Sequence, residues 1–224
     1  MKMTSISKKT NILYFILCIL SFIVSSCSSD TEEYDAYYDW QARNAAWYLQ
    51  VADTARTAIA QARSQYGSEW EQHCDWRMYK SLQRSQTVQS GRTTDSICVR
   101  IIQRGTGSAS PTYSDSIRVN FRGWLMETQK ADGTPELITF AQTYYGDYNP
   151  STAAPQVAAV GAFNDGFSTA LQYMTVGDDW MVYIPQQLFY GTEDHEIIPA
   201  YSTVRFRIQL VAIYPSGTDV PDWK

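Results

Sequence analysis

Between residues 37 and 66 apolar side chains return at helical spacing. Tyr37, Trp40, Trp47, Tyr48, Val51, Ala55, Ile59 and Ala62 share one face, with polar residues between them. The pattern predicts an amphipathic helix that Gly67 can stop. Ser68, followed three residues on by Glu71, is a capping-box pattern; it predicts a second helix with Trp70, Cys74, Met78 and Leu82 facing one way. Residues 83–94 are polar, contain Gly91 and read as a linker. Beyond them the period drops to that of a strand. Ile97, Val99 and Ile101 alternate with polar neighbours. So do Ile117, Val119 and Phe121, and again Val204, Phe206, Ile208, Leu210 and Ala212. Residues 138–140 and 180–184 are shorter strands, the second closed by Pro185. Residues 126–137 read as a loop or hairpin, and residues 144–155 as a Tyr/Asn/Pro-rich loop. Asn164 caps a short helix reaching Met174, with Phe167, Leu171 and Met174 on one face and Gly177 after it. One short helix against several antiparallel strands, preceded by a helical segment, is an α+β plan.

The first residues break from this pattern. Lys2, Lys8 and Lys9 precede an apolar run over 12–24, which is short for a membrane span and suited to the core of a signal peptide. The run ends in Val24-Ser25-Ser26-Cys27, which resembles a bacterial lipobox. Residues 1–26 are therefore expected to be a lipoprotein signal peptide and Cys27 the lipidation site, with acyl chains holding the protein on a membrane. Residues 27–36, with Asp30, Glu32, Glu33 and Asp35, form an acidic tether. Further divisions are expected at 37–90 (helical segment), 91–215 (β-rich domain) and 216–224 (C-terminal tail).

Charge narrows the partners. Eighteen basic against 23 acidic residues give a net charge of −5, and loss of residues 1–26 removes three lysines and no acids, leaving −8. Such a chain is poorly suited to contacting phosphates, so no nucleic-acid partner is expected. Cys18 leaves with the signal and Cys27 is lipidated. Cys74 and Cys98 remain, either as a disulfide or as small buried hydrophobes. His73 and His195 lie far apart, with no metal-ligand spacing around them, so neither metal nor cofactor is expected; His195 reads as an exposed loop histidine. Aromatics are abundant, with 16 Tyr and 7 Trp, enough for both a core and an aromatic-lined surface.

Several short motifs occur in order: Gly105-Thr106-Gly107 with Pro111, Val119-Asn120-Phe121-Arg122-Gly123, Met174-Thr175-Val176-Gly177, Ile184-Pro185, Phe189-Tyr190-Gly191, Ile197-Ile198-Pro199, and Val204-x-Phe206-x-Ile208-x-Leu210. Together, over about residues 95–214, they resemble the FKBP family of peptidyl-prolyl cis-trans isomerases. The resemblance implies a half-wrapped antiparallel sheet around one short helix, with a shallow aromatic bowl between them. It assigns Tyr190, Phe206 and Phe140 to catalysis and Phe121, Phe167, Ile197 and Ile198 to substrate binding. Tyr190 would donate a hydrogen bond to the bound carbonyl, and the backbone amide of Ile197 or Ile198 would add a second contact. Where the family has Asp after the Phe140 position, this chain has Ala141.

The implied activity is prolyl isomerisation assisting the folding of exported proteins, with proline-containing segments as substrates. The other implied reading is a lipid-anchored peptide-binding or chaperone module with weak or no catalysis. The expected location is the bacterial cell envelope, on a membrane (outer membrane, periplasmic or surface-facing). The N-terminal helices are either a spacer packed on the domain or a homodimerisation arm.

Overall fold

Alternation along the last strand decides how the chain is layered. Its even-numbered residues 204–210 are buried, as expected where one face of a strand meets a core. In the computed structural model, which describes residues 34–84 and 91–223, the elements run α1 (Trp40–Tyr66), α2 (Trp70–His73), β1 (Trp76–Lys80), β2 (Ser96–Gln103), β3 (Ser116–Leu125), β4 (Thr128–Gln129), β5 (Pro135–Glu136), β6 (Thr139–Gln142), β7 (Gln156–Ala159), α3 (Asp165–Leu171), β8 (Asp179–Ile184) and β9 (Val204–Tyr214). Strands β1-β2-β8-β9-β3-β6 lie in that spatial order, and β7 pairs with the other end of β3. Every pairing is antiparallel. The α+β class follows directly. The calls on residues 1–26, on Cys27 and on most of the tether lie outside the described residues.

One face of this sheet carries Ile97, Val99, Ile117, Val182, Ile184, Ile208 and Leu210 into a single core with Phe167, Leu171 and Met174. Helix α3 is buried from Gly166 to Leu171, so it behaves as a core element rather than a surface helix. Its start is set by Asn164, whose side-chain oxygen accepts the Phe167 N–H at 3.4 Å. Gly166 is required by the packing: a Cβ there would lie 2.2 Å from Ile184 Cγ2. The helix ends at Leu171, three residues before the expected Met174, although the Met174 N–H still bonds back to the Ala170 carbonyl at 3.1 Å.

The opposite face is covered by α1. Tyr48, Ala52 and Ala55 pack on Cys98, with Trp76, Met78 and Tyr183 around them. Cys74 and Cys98 are both free and buried. Burial pushes the Cys98 thiol up to about 11 and the Tyr48 hydroxyl well above its ordinary value. Both therefore stay protonated in this contact, and the thiol is chemically quiet. Farther toward its N-terminus, α1 is pinned by polar bonds. Trp40 Nε1 donates to Ser202 Oγ at 2.9 Å, and Asn44 Oδ1 accepts the Thr203 N–H at 2.9 Å. Asn44 is fully buried. Asn44→Ala leaves the Thr203 N–H without an acceptor, and is expected to lower stability by about 1–3 kcal/mol in chemical denaturation.

The second expected helix, through Leu82, is corrected. It survives only as α2, and Trp76–Lys80 is a strand pairing with β2. The i, i+4 recurrence of Trp70, Cys74 and Met78 looked helical. However, Trp76 and Met78 face α1 while Tyr79 faces the α3 side, where it stacks on Tyr173 at 4.0 Å. A short strand with apolar residues on both faces carries no clear alternation. Residues 36–224 cluster as one compact unit, so the face of α1 that the sequence marks as apolar is used within the chain itself. No helix among the described residues is long and apolar enough to cross a membrane.

Candidate functional site

The aromatic positions singled out in the sequence converge where α3 meets β3, β6 and β9. Phe206 is central. Its ring centroid lies 5.0 Å from Phe167, 5.2 Å from Phe140, 5.9 Å from Phe189 and 6.2 Å from Phe121, all edge-to-face. Edge-to-face contacts bring the positive rim of one ring to the negative face of the next, and each is worth about 0.5–1.5 kcal/mol beyond simple burial. Phe163 stacks on Phe167 at 4.5 Å. The rings enclose a bowl of about 280 Å3. Strand geometry explains the aim of each wall. Phe121 and Phe206 lie on neighbouring strands and point to the α3 face; Phe140 reaches the same bowl from β6 across Gly123. A Cβ on Gly123 would lie 2.4 Å from Phe206 Cε1 and 2.8 Å from Phe140 Cζ, so the rings close over a position that has no side chain.

Tyr190 stands at the rim, 37% exposed, and its hydroxyl has no hydrogen-bond partner among the described residues. Burial, and then the neighbouring Glu196 carboxylate, holds its pKa above the ordinary tyrosine value, so it remains a donor across neutral pH. Its ring lies flat on His195, with centroids 3.9 Å apart and planes 3° from parallel. The loop histidine of the sequence reading is indeed exposed, and it also lines the bowl.

The two isoleucines separate. Ile198 is buried and lines the bowl, and its N–H is tied to the His195 carbonyl at 2.9 Å. Ile197 is 54% exposed and outside the lining. Six lining residues were missing from the sequence-derived site set: Ala141, Phe163, Asn164, Phe189, His195 and Glu196. Phe189 and His195 had a local signal, since they flank Tyr190 within one turn-rich loop. Phe163 is placed by the short helical turn before α3, which nothing in the periodicity marks. Ala141 lies in the wall beside Phe140, and Glu196 is the single carboxylate in the lining. Asp132 and Asp147 do not line the bowl; Asp132 instead accepts the N–H and hydroxyl of Thr134. No group of three metal-ligating side chains comes together among the described residues.

A hydrophobic bowl with a free hydroxyl donor at its edge suits a neutral, planar group. Comparison with known proteins agrees. Residues 107–211 match the family profile for FKBP-type peptidyl-prolyl cis-trans isomerase. The chain is 31% identical over 117 residues to a macrophage infectivity potentiator of Trypanosoma cruzi, covering 52% of each protein. It is 30% identical over 136 residues to the FKBP-type 22 kDa peptidyl-prolyl cis-trans isomerase of Escherichia coli, covering 60% of this chain and 58% of the relative. It is 29% identical over 115 residues to the outer membrane protein MIP of Legionella longbeachae, covering 51% and 42%. The chain thus spans about half the length of these relatives. A solved peptidyl-prolyl cis-trans isomerase from Pseudomonas syringae aligns with a TM-score of 0.43 at 21% identity, over 74% of this chain and 95% of that one. The chain carries, over residues 107–211, a domain of the FKBP-type peptidyl-prolyl cis-trans isomerase family.

Proposed function

We propose that this protein is a peptidyl-prolyl cis-trans isomerase acting on proline-containing segments of exported polypeptides. The observation that carries the reading is the aromatic bowl centred on Phe206 with the unpartnered Tyr190 hydroxyl at its rim. Rotation about an Xaa-Pro bond is slow because amide resonance must be lost, a barrier of about 18–20 kcal/mol. Twisting the amide reduces its charge separation, so a dry aromatic surface favours the twisted form over the planar one. Phe206, Phe121 and Phe167 would hold the proline ring, Phe140 and Ile198 would wall it in, and Tyr190 would fix the preceding carbonyl oxygen. A second donor would be the Ile197 amide, since that of Ile198 is already bonded. No nucleophile or proton shuttle enters this reaction.

Tyr190→Phe is expected to lower kcat/KM on a short Xaa-Pro peptide about three- to tenfold, the equivalent of one hydrogen bond, without shifting the melting temperature. Because the Tyr190 pKa is raised, the donating form persists upward in pH, and the wild-type rate should be flat from neutral pH to above 9. A folded full-length sample that accelerates exchange no more than buffer would sink the enzyme reading.

Ala141 supports a second reading. The bowl wall lacks the acid that the family resemblance implies there, which suits a peptide-binding or chaperone module with weak turnover. Such a module would bind the same peptides, and would leave exchange unaccelerated.

The envelope location rests on the lipobox-like residues 24–27 and on the name of the Legionella relative. In this reading acyl chains on Cys27 tether the protein to a bacterial membrane. Cys27→Ala is expected to move the protein from the membrane to the soluble fraction on centrifugation. The N-terminal helix acts as a spacer packed on its own sheet; a homodimer through it would use its outward side, where Leu49 is exposed.

A further inference from the structure

The loop after Tyr190 places a charge beside the bowl. His195 and Ile198 exchange both backbone bonds, each N–H donating to the other's carbonyl at 2.9 Å, so Glu196 and Ile197 form a two-residue turn between them. Both ends of that turn are fixed. The His195 ring lies on Tyr190 with centroids 3.9 Å apart, and Ile198 is buried in the bowl wall. Glu196 has a φ of 52°, in the left-handed region that glycine enters at no steric cost and other residues enter against a clash. The chain thus holds a carboxylate at a turn position where glycine would fit more easily.

Other carboxylates packed against the domain are matched by donors. On the opposite face of the sheet, Arg207 donates to both oxygens of Asp179, Nη2 to Oδ2 at 2.7 Å and Nε to Oδ1 at 3.1 Å, and Gln209 Nε2 donates to Oδ1 at 3.1 Å. Asp165 accepts from the Ser81 hydroxyl, and Asp178 from the Gly105 and Thr175 N–H groups. Glu196 is exposed and makes no hydrogen bond or ion pair among the described residues. No lysine or arginine lines the bowl, so nothing there offsets its charge. Its field reaches Tyr190: after burial, Glu196 is the next cause holding that hydroxyl above its ordinary pKa.

The position identifies what the charge meets. In the isomerase reading, on which this inference rests, Tyr190 fixes the carbonyl of the residue before proline. The side chain of that residue, Xaa, therefore leaves the bowl over the rim where Glu196 stands. An acidic Xaa meets a like charge there, and a basic one meets an open carboxylate. We propose that Glu196 makes the bowl selective for Xaa-Pro segments in which Xaa is lysine or arginine, and against those in which Xaa is aspartate or glutamate. The pair is open to water, so attraction should be worth about two- to fivefold in kcat/KM, with a similar factor for repulsion.

The test measures cis-trans exchange by NMR, with no coupling protease, for the full-length protein acting on acetyl-Ala-Xaa-Pro-Phe-amide peptides. Xaa is lysine, glutamine or glutamate, and the caps are neutral. The readout is the ratio of kcat/KM for the lysine peptide to that for the glutamate peptide. Glu196→Gln is expected to lower this ratio at least about threefold, and Glu196→Lys to lower it further. Glu193→Gln removes a charge from the same loop outside the bowl lining and should leave the ratio within about twofold of wild type. A ratio that falls less than about threefold in Glu196→Gln, or as far in Glu193→Gln, would overturn the proposal. Acceleration of all three peptides with such an unchanged ratio removes the selectivity alone. No acceleration of any peptide removes the isomerase reading, and the selectivity with it.

Discussion

Phe206→Ala should remove most turnover and destabilise the domain by about 3–5 kcal/mol, as expected for deleting a buried phenylalanine. The ring is 4% exposed and makes edge-to-face contacts with four others. Those neighbours come from α3, β3, β6 and the loop after β8. Their positions are set by different parts of the chain, so none can move in to fill the gap without leaving its own contacts. Equilibrium denaturation measures the stability change, and a coupled peptide assay measures the rate. Phe206→Leu separates the two effects. It fills most of the volume and should cost less than about 1.5 kcal/mol, yet it lacks the quadrupole that holds the other rings edge-on. A folded Phe206→Leu protein with the wild-type rate would show that the bowl works by volume alone.

The opposite change is Gly123→Ala, one added methyl on β3. In an ordinary strand alanine in place of glycine is favourable by about 0.5–1 kcal/mol. Here the new carbon would sit 2.4 Å from Phe206 and 2.8 Å from Phe140, and both rings are already backed by others. We expect a net loss of about 1–3 kcal/mol, the usual range for overpacking. A larger loss of peptide affinity should accompany it, because the rings can yield only toward the open bowl. Thermal unfolding with and without a proline-containing peptide reads both effects at once. A stability gain would mean that the rings relax freely and that Gly123 does not set the width of the bowl.

The strands that build this site were legible because apolar side chains alternate with polar ones along them, even where β3 also buries Arg118 and Asn120 on its other face. Phe121 and Phe206 fall in register with Val119 and Ile208, and period two picks out all four. Asn164 and Tyr190 were legible through local chemistry, a cap and a motif. Strand β1 was not, since α1 covers one of its faces and the α3 side covers the other, which erases the alternation. The Asp179–Arg207–Gln209 group was hidden for a different reason. Its members are 28 and 30 residues apart, and only the antiparallel register of β8 and β9 brings them face to face. In the sequence Arg207 and Gln209 are merely the polar half of an alternating strand. Phe163 lay between: its residue type was plain, but its aim depends on the turn before α3.

The anchoring of α1 bears on the order in which the chain can finish folding. Trp40 is 162 residues from Ser202, and Asn44 is 159 from Thr203. The helix is made well before its docking partners. Trp40 and Asn44 therefore wait for Ser202 and Thr203 while Tyr48 can already find Ser96. Contacts of such long sequence separation slow folding, because a large loop must close before any of them forms. Helix α1 can therefore lock into place only when Ser202 and Thr203 are held beside it, so its docking completes the fold after the helix itself has formed.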